Sequence, residues 1–293
     1  MGSPLLAVFS VLPLVNACAV ILAGCVVGVC AFLSRYLGHI PEWMLFPPIM
    51  MSGYVPPESV IYSSGLTVVA VALFFCQTLL FLLTRAMLQR DWAPNNKNLP
   101  LRFVNICAYS FSVAGAISLL VQAVVPVQNN VLYTFFDYVD VEQNTVIHES
   151  AAACWWISEA MHWILAFIVE KRSEQLSLLR RNRRSFVVKY VFVLLALVAG
   201  GLAMVLKPTL PAPKSTVSRY FHATNFCWWF SAAAFFVAYF TQSWQSAAIL
   251  DHLGIRSFVF GSLRSTRYFK VNTDEDAEAP AAKADDKDAD DSQ

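Results

Sequence analysis

Ile147–Glu170, IHESAAACWWISEAMHWILAFIVE, is apolar and long enough to cross a bilayer, yet it contains His148, Glu149, Glu159 and His162. A charge held in hydrocarbon costs about 3 kcal/mol or more, so each of these groups needs a partner or a task. At 100° per residue, the steps from His148 to Glu159 return to within about 20° of the same line, and Trp155 and His162 fall near it. The segment therefore reads as a helix with one polar stripe. His148 and Glu149 sit at its mouth, within reach of water and headgroups. Glu159 and His162 are three apart, hence neighbours on a helix, and lie near mid-membrane. They are expected to face the bundle interior and to share a proton or hydrogen bonds, with Gln77, Ser110 or Gln122 as candidate partners. The functional alternative is a proton relay or a site for a substrate cation.

The rest of the chain agrees with a membrane setting. Of its 293 residues, 57% are hydrophobic and 14% charged, and the mean hydropathy is +0.52. Soluble domains carry about a quarter charged residues. Five further apolar spans cover 5–33, 58–84, 103–125, 186–206 and 220–243, around the 147–169 span, each near the ~20 residues that hydrocarbon demands. The first contains Gly24-x-x-x-Gly28, a spacing that lets helices approach closely. All seven cysteines fall inside apolar spans, with no CxxC pair and no disulfide framework. Lys and Arg collect in the loops after the second and fourth spans, eleven against four in the other loops, with Lys189 counted in the loop after the fourth. The positive-inside rule then puts both termini in the cytosol. Residues 1–255 form the membrane domain. Trp244–Val271 mixes Ile249, Leu250 and Phe258 with Arg256, Arg264 and Lys270, suiting 256–272 to an anionic leaflet surface. Residues 273–293 hold nine acids and no aromatic side chain, the composition of a disordered tail. The expected fold is thus all-α, a polytopic bundle of six helices.

Pro47–Phe75, PPIMMSGYVPPESVIYSSGLTVVAVALFF, resembles the DRAM family of autophagy modulators and the related FRAG and post-GPI-attachment-factor group. In that family Pro-Pro-Glu-Ser opens the second helix, matched here by Pro56, Pro57, Glu58 and Ser59. A His-acid pair opens the fourth helix, here His148 and Glu149, and an aromatic-His pair opens the sixth, here Phe221 and His222. FFVAYFTQSWQS, from Phe235, resembles the family's exit from the membrane. The likeness covers roughly residues 1–255. Two departures stand out: Met51 where the family commonly has Asp, and Trp228 and Trp229 where it has Glu. The resemblance implies a multipass protein of the endomembrane system (lysosome, Golgi or ER) or the plasma membrane. Its members are linked to autophagy, to phosphoinositide-kinase complexes and to remodelling of GPI lipid anchors, and a shared fold does not choose among these.

The candidate sites follow. Glu58, His148, Glu149 and His222 would all lie on the extracytosolic side. A His/His/carboxylate set is chemically able to bind a divalent metal or move a proton. The structural reading is that Glu58 caps the second helix and offsets its dipole while the histidines bond interhelical polar groups. Arg180, Arg181, Arg183 and Arg184 suit either topology or contact with anionic lipid. No nucleophile elbow, P-loop, dinucleotide fingerprint or HExxH occurs, and no cofactor is implied. The expected function is a non-enzymatic, DRAM-like membrane regulator or adaptor. Its partners would be membrane lipids and a cytosolic protein held by the basic loops and acidic tail, with nothing pointing to nucleic acid. GPI-anchor lipid remodelling is the alternative, and proton-coupled transport through Glu159 and His162 comes third.

Overall fold

The computed structural model describes residues 4–40, 42, 44–53, 55–90, 99–125, 143–175, 183–206 and 214–253. These form six helices: α1 (Pro4–Tyr36), α2 (Glu58–Arg90), α3 (Leu99–Val124), α4 (Gln143–Gln175), α5 (Arg183–Leu206) and α6 (Lys214–His252). A single 3-10 turn, Ile49–Gly53, lies between α1 and α2. All six helices are long and apolar enough to cross a membrane, and no strand occurs among the described residues. The protein is an integral multipass membrane protein. Helices of 33 residues are about 50 Å long, well beyond the ~30 Å hydrocarbon thickness, so their ends reach the headgroup layer.

Neighbours in sequence are neighbours in space, and α6 closes the ring against α1. The densest packing joins α5 to α6 and α3 to α4, while α4 and α5 meet only thinly. Small residues fill the centre: Ala19, Ala23, Ala196, Ala234 and Ala238 pack around Trp163, Phe235 and Tyr239. Lipid offers no hydrophobic drive for helix association, so small side chains and interhelical hydrogen bonds carry it. Asn16 on α1 donates to the Tyr239 carbonyl (2.8 Å) and to Ser243 Oγ (3.0 Å) on α6. Gln77 on α2 donates to Gln242 on α6 (3.0 Å), and Ser231 on α6 to the Ala196 carbonyl on α5 (2.8 Å).

Three expectations change. Gly24 and Gly28 are exposed, with nothing within 4 Å of an added Cβ, so this pair packs against no helix among the described residues. The close approaches fall elsewhere. A Cβ on Gly65 would meet Val26 at 2.3 Å, and one on Gly200 would meet the Trp156 indole at 2.0 Å. Second, the sixth span does not end at Ser243. Thr241, Gln242, Ser243, Gln245 and Ser246 are buried, and Ile249 and Leu250 pack with Phe9, Leu12, Leu83 and Met87. Polar residues that read as a membrane exit are satisfied inside the bundle, and α6 continues to His252. Third, Lys189 is not a loop residue but lies wholly buried on α5.

Candidate functional site

Polar groups gather at three levels, beginning at the end of the bundle where α2, α4 and α6 start. There the α1–α2 connection folds back as a cap. Gly38, at φ +75°, turns the chain after α1, a conformation that costs glycine little. The amides of His39 (2.9 Å) and Ile40 (3.2 Å) both bond the Ser34 carbonyl, and Ser34 Oγ donates to the Ser52 carbonyl (2.9 Å). Arg35 donates to the Met44 (2.5 Å) and Leu45 (3.3 Å) carbonyls. From α6, Trp229 donates to the Pro47 carbonyl (2.7 Å), while Phe226 meets Phe46 edge-on at 5.1 Å. Gly53 presses on Tyr62 so closely that a Cβ would lie 2.2 Å from the ring.

Under this cap Glu58 is fully buried, and its Oε1 lies 2.8 Å from His39 Nδ1, whose side chain is 28% exposed. The Glu58 carbonyl also accepts from Cys30 Sγ (3.5 Å). Glu58 stands in the first turn of α2, where its charge offsets the helix dipole, but its side chain is committed to the cap. Pro56 and Pro57 are exposed and joined by a cis peptide. The Ser59 amide bonds the Val55 carbonyl at 3.0 Å. His39 was not legible as a site residue, since no local motif marks it.

His148 is buried on α4 and bonds the Val125 carbonyl at 3.2 Å; Glu149 beside it is half-buried. His222 is half-buried on α6, with its ring edge-on to Phe221 at 5.8 Å. Among the described residues no three His, Cys, Asp or Glu side chains are placed to hold a metal. Glu58, His148, Glu149 and His222 therefore share one end of the bundle without forming a metal centre.

At the second level Glu159 and His162 are both buried, as expected of an interior stripe. Their hydrogen bonds nonetheless go to different helices. Tyr239 on α6 donates to Glu159 Oε2, and the other oxygen, Oε1, lies where a Cβ on Gly115 of α3 would be 2.7 Å away. His162 Nδ1 bonds the Ala108 carbonyl of α3 at 2.9 Å. Of the candidate partners, Ser110 bonds the Ile106 carbonyl, and Gln122 reaches the Ala151 carbonyl of α4 (3.4 Å).

The third level lies about one and a half to two turns inside the opposite end. Lys189 donates to Glu170 and to Gln245 Oε1, and Gln245 donates to Glu170 Oε2 at 2.7 Å. The Lys189 ammonium stands 4.6 Å from the Tyr190 ring centre and 5.6 Å from that of Trp163, within cation–π range. This group joins α4, α5 and α6. A sequence signal existed, because Lys189 lies within FVVKYVFVLL, a setting that tolerates a cation only if it is paired. Arg183 and Arg184 lie in the first turn of α5. Arg180, Arg181, the 256–272 segment and the 273–293 tail lie outside the described residues.

Comparisons with family models, curated proteins and solved structures return no match.

Proposed function

We propose that this protein is a DRAM-like multipass membrane regulator, acting in autophagy or phosphoinositide-linked membrane homeostasis at an endomembrane or the plasma membrane. Both termini are cytosolic in this reading, and the cap is extracytosolic. The observation that carries it is the use made of Glu58. The acid of the Pro-Pro-Glu-Ser block is fully buried and bonded to His39, so it shapes a surface. A protein that acts through shape and contacts needs such a surface at one end and partner-binding segments at the other. The basic loops, whose charge attracts anionic lipid, and the acidic 273–293 segment, whose charge suits a basic protein surface, fill the second role. The test is autophagic flux and phosphoinositide content in cells expressing the chain without 273–293 and with Arg180, Arg181, Arg183 and Arg184 changed to Gln. Impaired flux or altered phosphoinositides are expected. Normal values after both changes would remove the reading.

One observation favours GPI-anchor lipid remodelling as a second reading. A buried carboxylate that fixes one imidazole nitrogen of a partly exposed histidine is the base-and-orienter arrangement of general acid–base catalysis. His39, held by Glu58, has that arrangement. Mass spectrometry of GPI-anchor lipids from cells carrying His39→Ala, beside a His148→Ala, His222→Ala double mutant, separates the readings. Under remodelling, His39→Ala alone reproduces the lipid pattern of cells lacking the protein.

A further inference from the structure

The α2–α3 groove carries two arginines, Arg85 and Arg102, that the three polar levels do not engage. Phe81 of α2 stacks on Tyr109 of α3 with ring centres 4.5 Å apart, and Thr78 bonds the Tyr109 hydroxyl at 3.0 Å. Arg85 follows Phe81 by four residues and Arg102 precedes Tyr109 by seven, two intervals that return to the same helix face. As consecutive spans the helices run antiparallel, so both steps lead toward the same end, by about 6 Å and about 10 Å. The arginines therefore flank one groove at levels that differ by less than a turn, and Leu88 and Leu101 pack together beside them. Both side chains are exposed, and neither forms an ion pair among the described residues.

Arginine stays protonated in proteins, so two fixed positive charges face each other across the groove. Apart from Glu58 at its far end α2 has no acid, and α3 has none. The 91–98 connection adds one charge of each sign, Asp91 and Lys97. Positive-inside topology explains cations at this end of the bundle, but it does not require two of them to meet at one level on facing helices. Adjacent helix axes lie about 8–10 Å apart, a gap that two guanidinium groups can close on one phosphate through forked hydrogen bonds.

Depth selects the source of that phosphate. Arg85 lies eleven residues from Phe74, the midpoint of α2, hence about 16 Å from it and just beyond the ~15 Å half-thickness of the hydrocarbon. Inward of the arginines the surface turns apolar, with Leu82, Phe103 and Ile106 all exposed, as suits contact with acyl chains. We propose that Arg85 and Arg102 clamp the phosphate of one anionic phospholipid, whose acyl chains lie along α2 and α3 beside Leu82 and Ile106. A net negative headgroup is preferred to phosphatidylcholine, because two fixed cations repel the choline ammonium.

The test is native mass spectrometry of the full chain released from neutral-detergent micelles containing phosphatidylglycerol or phosphatidylcholine, which counts retained lipid against its concentration. One phosphatidylglycerol should be held more tightly than any phosphatidylcholine. A cation at an anionic leaflet is worth about a fivefold change in affinity, so Arg85→Gln and Arg102→Gln should each weaken retention about fivefold, and together about twenty-fivefold. Both side chains are exposed, so neither change empties the core. Lys171→Gln removes a charge at the same end but on the α5 side of α4, where Lys171 lies over Phe167; screening over that distance should hold its effect to about twofold. Equal retention of the two lipids, or equal weakening by Lys171→Gln and by the arginine changes, would overturn the proposal. Displacement by an equal concentration of inorganic phosphate would overturn it too, by making the site one for a soluble anion. So would retention that appears only once 273–293 are removed, which would give the arginines to that acidic segment. Lipid counting on purified protein involves neither autophagy nor GPI anchors, so this site and the function proposed above fail separately.

Discussion

Replacing Lys189 by Met tests the buried ion pair directly. Lys189 is wholly buried, with its charge met by Glu170, by Gln245 and by the faces of Tyr190 and Trp163. Methionine fills most of the same volume, so the loss is mainly electrostatic. It strands the Glu170 carboxylate, whose side chain is 17% exposed and which keeps the Gln245 donor, 2.7 Å away. Removing one member of a buried pair costs roughly 3–5 kcal/mol. Residual exposure and the surviving hydrogen bond place this case near 3 kcal/mol, a shift of about a hundredfold in the unfolding equilibrium. Changing both Lys189→Met and Glu170→Gln removes the stranded charge, and such paired replacements are often close to neutral. The double mutant should return to within about 1 kcal/mol of the parent. Reversible unfolding by sodium dodecyl sulfate in mixed micelles, followed by tryptophan fluorescence, measures all four corners of the cycle. A single mutant within about 0.5 kcal/mol of the parent, or a double mutant whose loss equals the sum of the singles, would refute the reasoning.

The same unfolding assay serves two further predictions, and amide hydrogen exchange a third. Gly115→Ala places a methyl 2.7 Å from Glu159 Oε1 and should cost about 1–3 kcal/mol through overpacking; Gly201→Ala, with nothing within 4 Å, should be neutral or gain about 0.5–1 kcal/mol of helix propensity. Tyr239→Phe withdraws the donor from buried Glu159 and should cost about 1–3 kcal/mol, more than Glu159→Gln, whose amide oxygen still accepts from Tyr239. His39→Ala frees the cap from Glu58, so amide hydrogen exchange across 44–53 should quicken at least tenfold while α1 and α2 stay protected, and unchanged exchange there would show that the dyad does not hold the cap.

The six spans were legible because hydropathy and length report directly on hydrocarbon burial. What each polar residue touches was not, since partners come from other helices and no spacing rule links them. Glu159 and His162 are neighbours along α4, and sequence adjacency suggested a shared bond. The fold instead gives Tyr239 to one and the Ala108 carbonyl to the other. Lys189 followed an arginine cluster and so passed for loop charge, although valines and aromatics surround it. Gly24-x-x-x-Gly28 matched a helix-packing spacing, but a spacing does not say which way the face turns, and this one turns away from the bundle. The Pro-Pro-Glu-Ser block did not reveal His39, nineteen residues before Glu58, because a loop brings the two together.

These misses share a cause that also accounts for the polarity of α4. In lipid, apolar contact between helices gains little over apolar contact with acyl chains, so hydrogen bonds and close-fitting glycines must fix which helices meet and in what register. α4 meets α5 only thinly, and its attachments there are specific: Trp156 against Gly200, Phe167 against Phe186 and Tyr190, and Glu170 on Lys189. Toward α3 it is tied by His148 and His162 to two carbonyls, and toward α6 by Glu159 to Tyr239. His148, Glu159, His162 and Glu170 thus each latch α4 to a neighbour at a different depth. A purely apolar α4 could rotate or slide with little penalty. With the latches, a rotation of one residue strands several buried polar groups at once, at about 1–3 kcal/mol each. His162 makes its latch through Nδ1 alone, and its Nε2 is buried with no partner among the described residues, so a slide of α4 that broke the Nδ1 bond would strand both ring nitrogens.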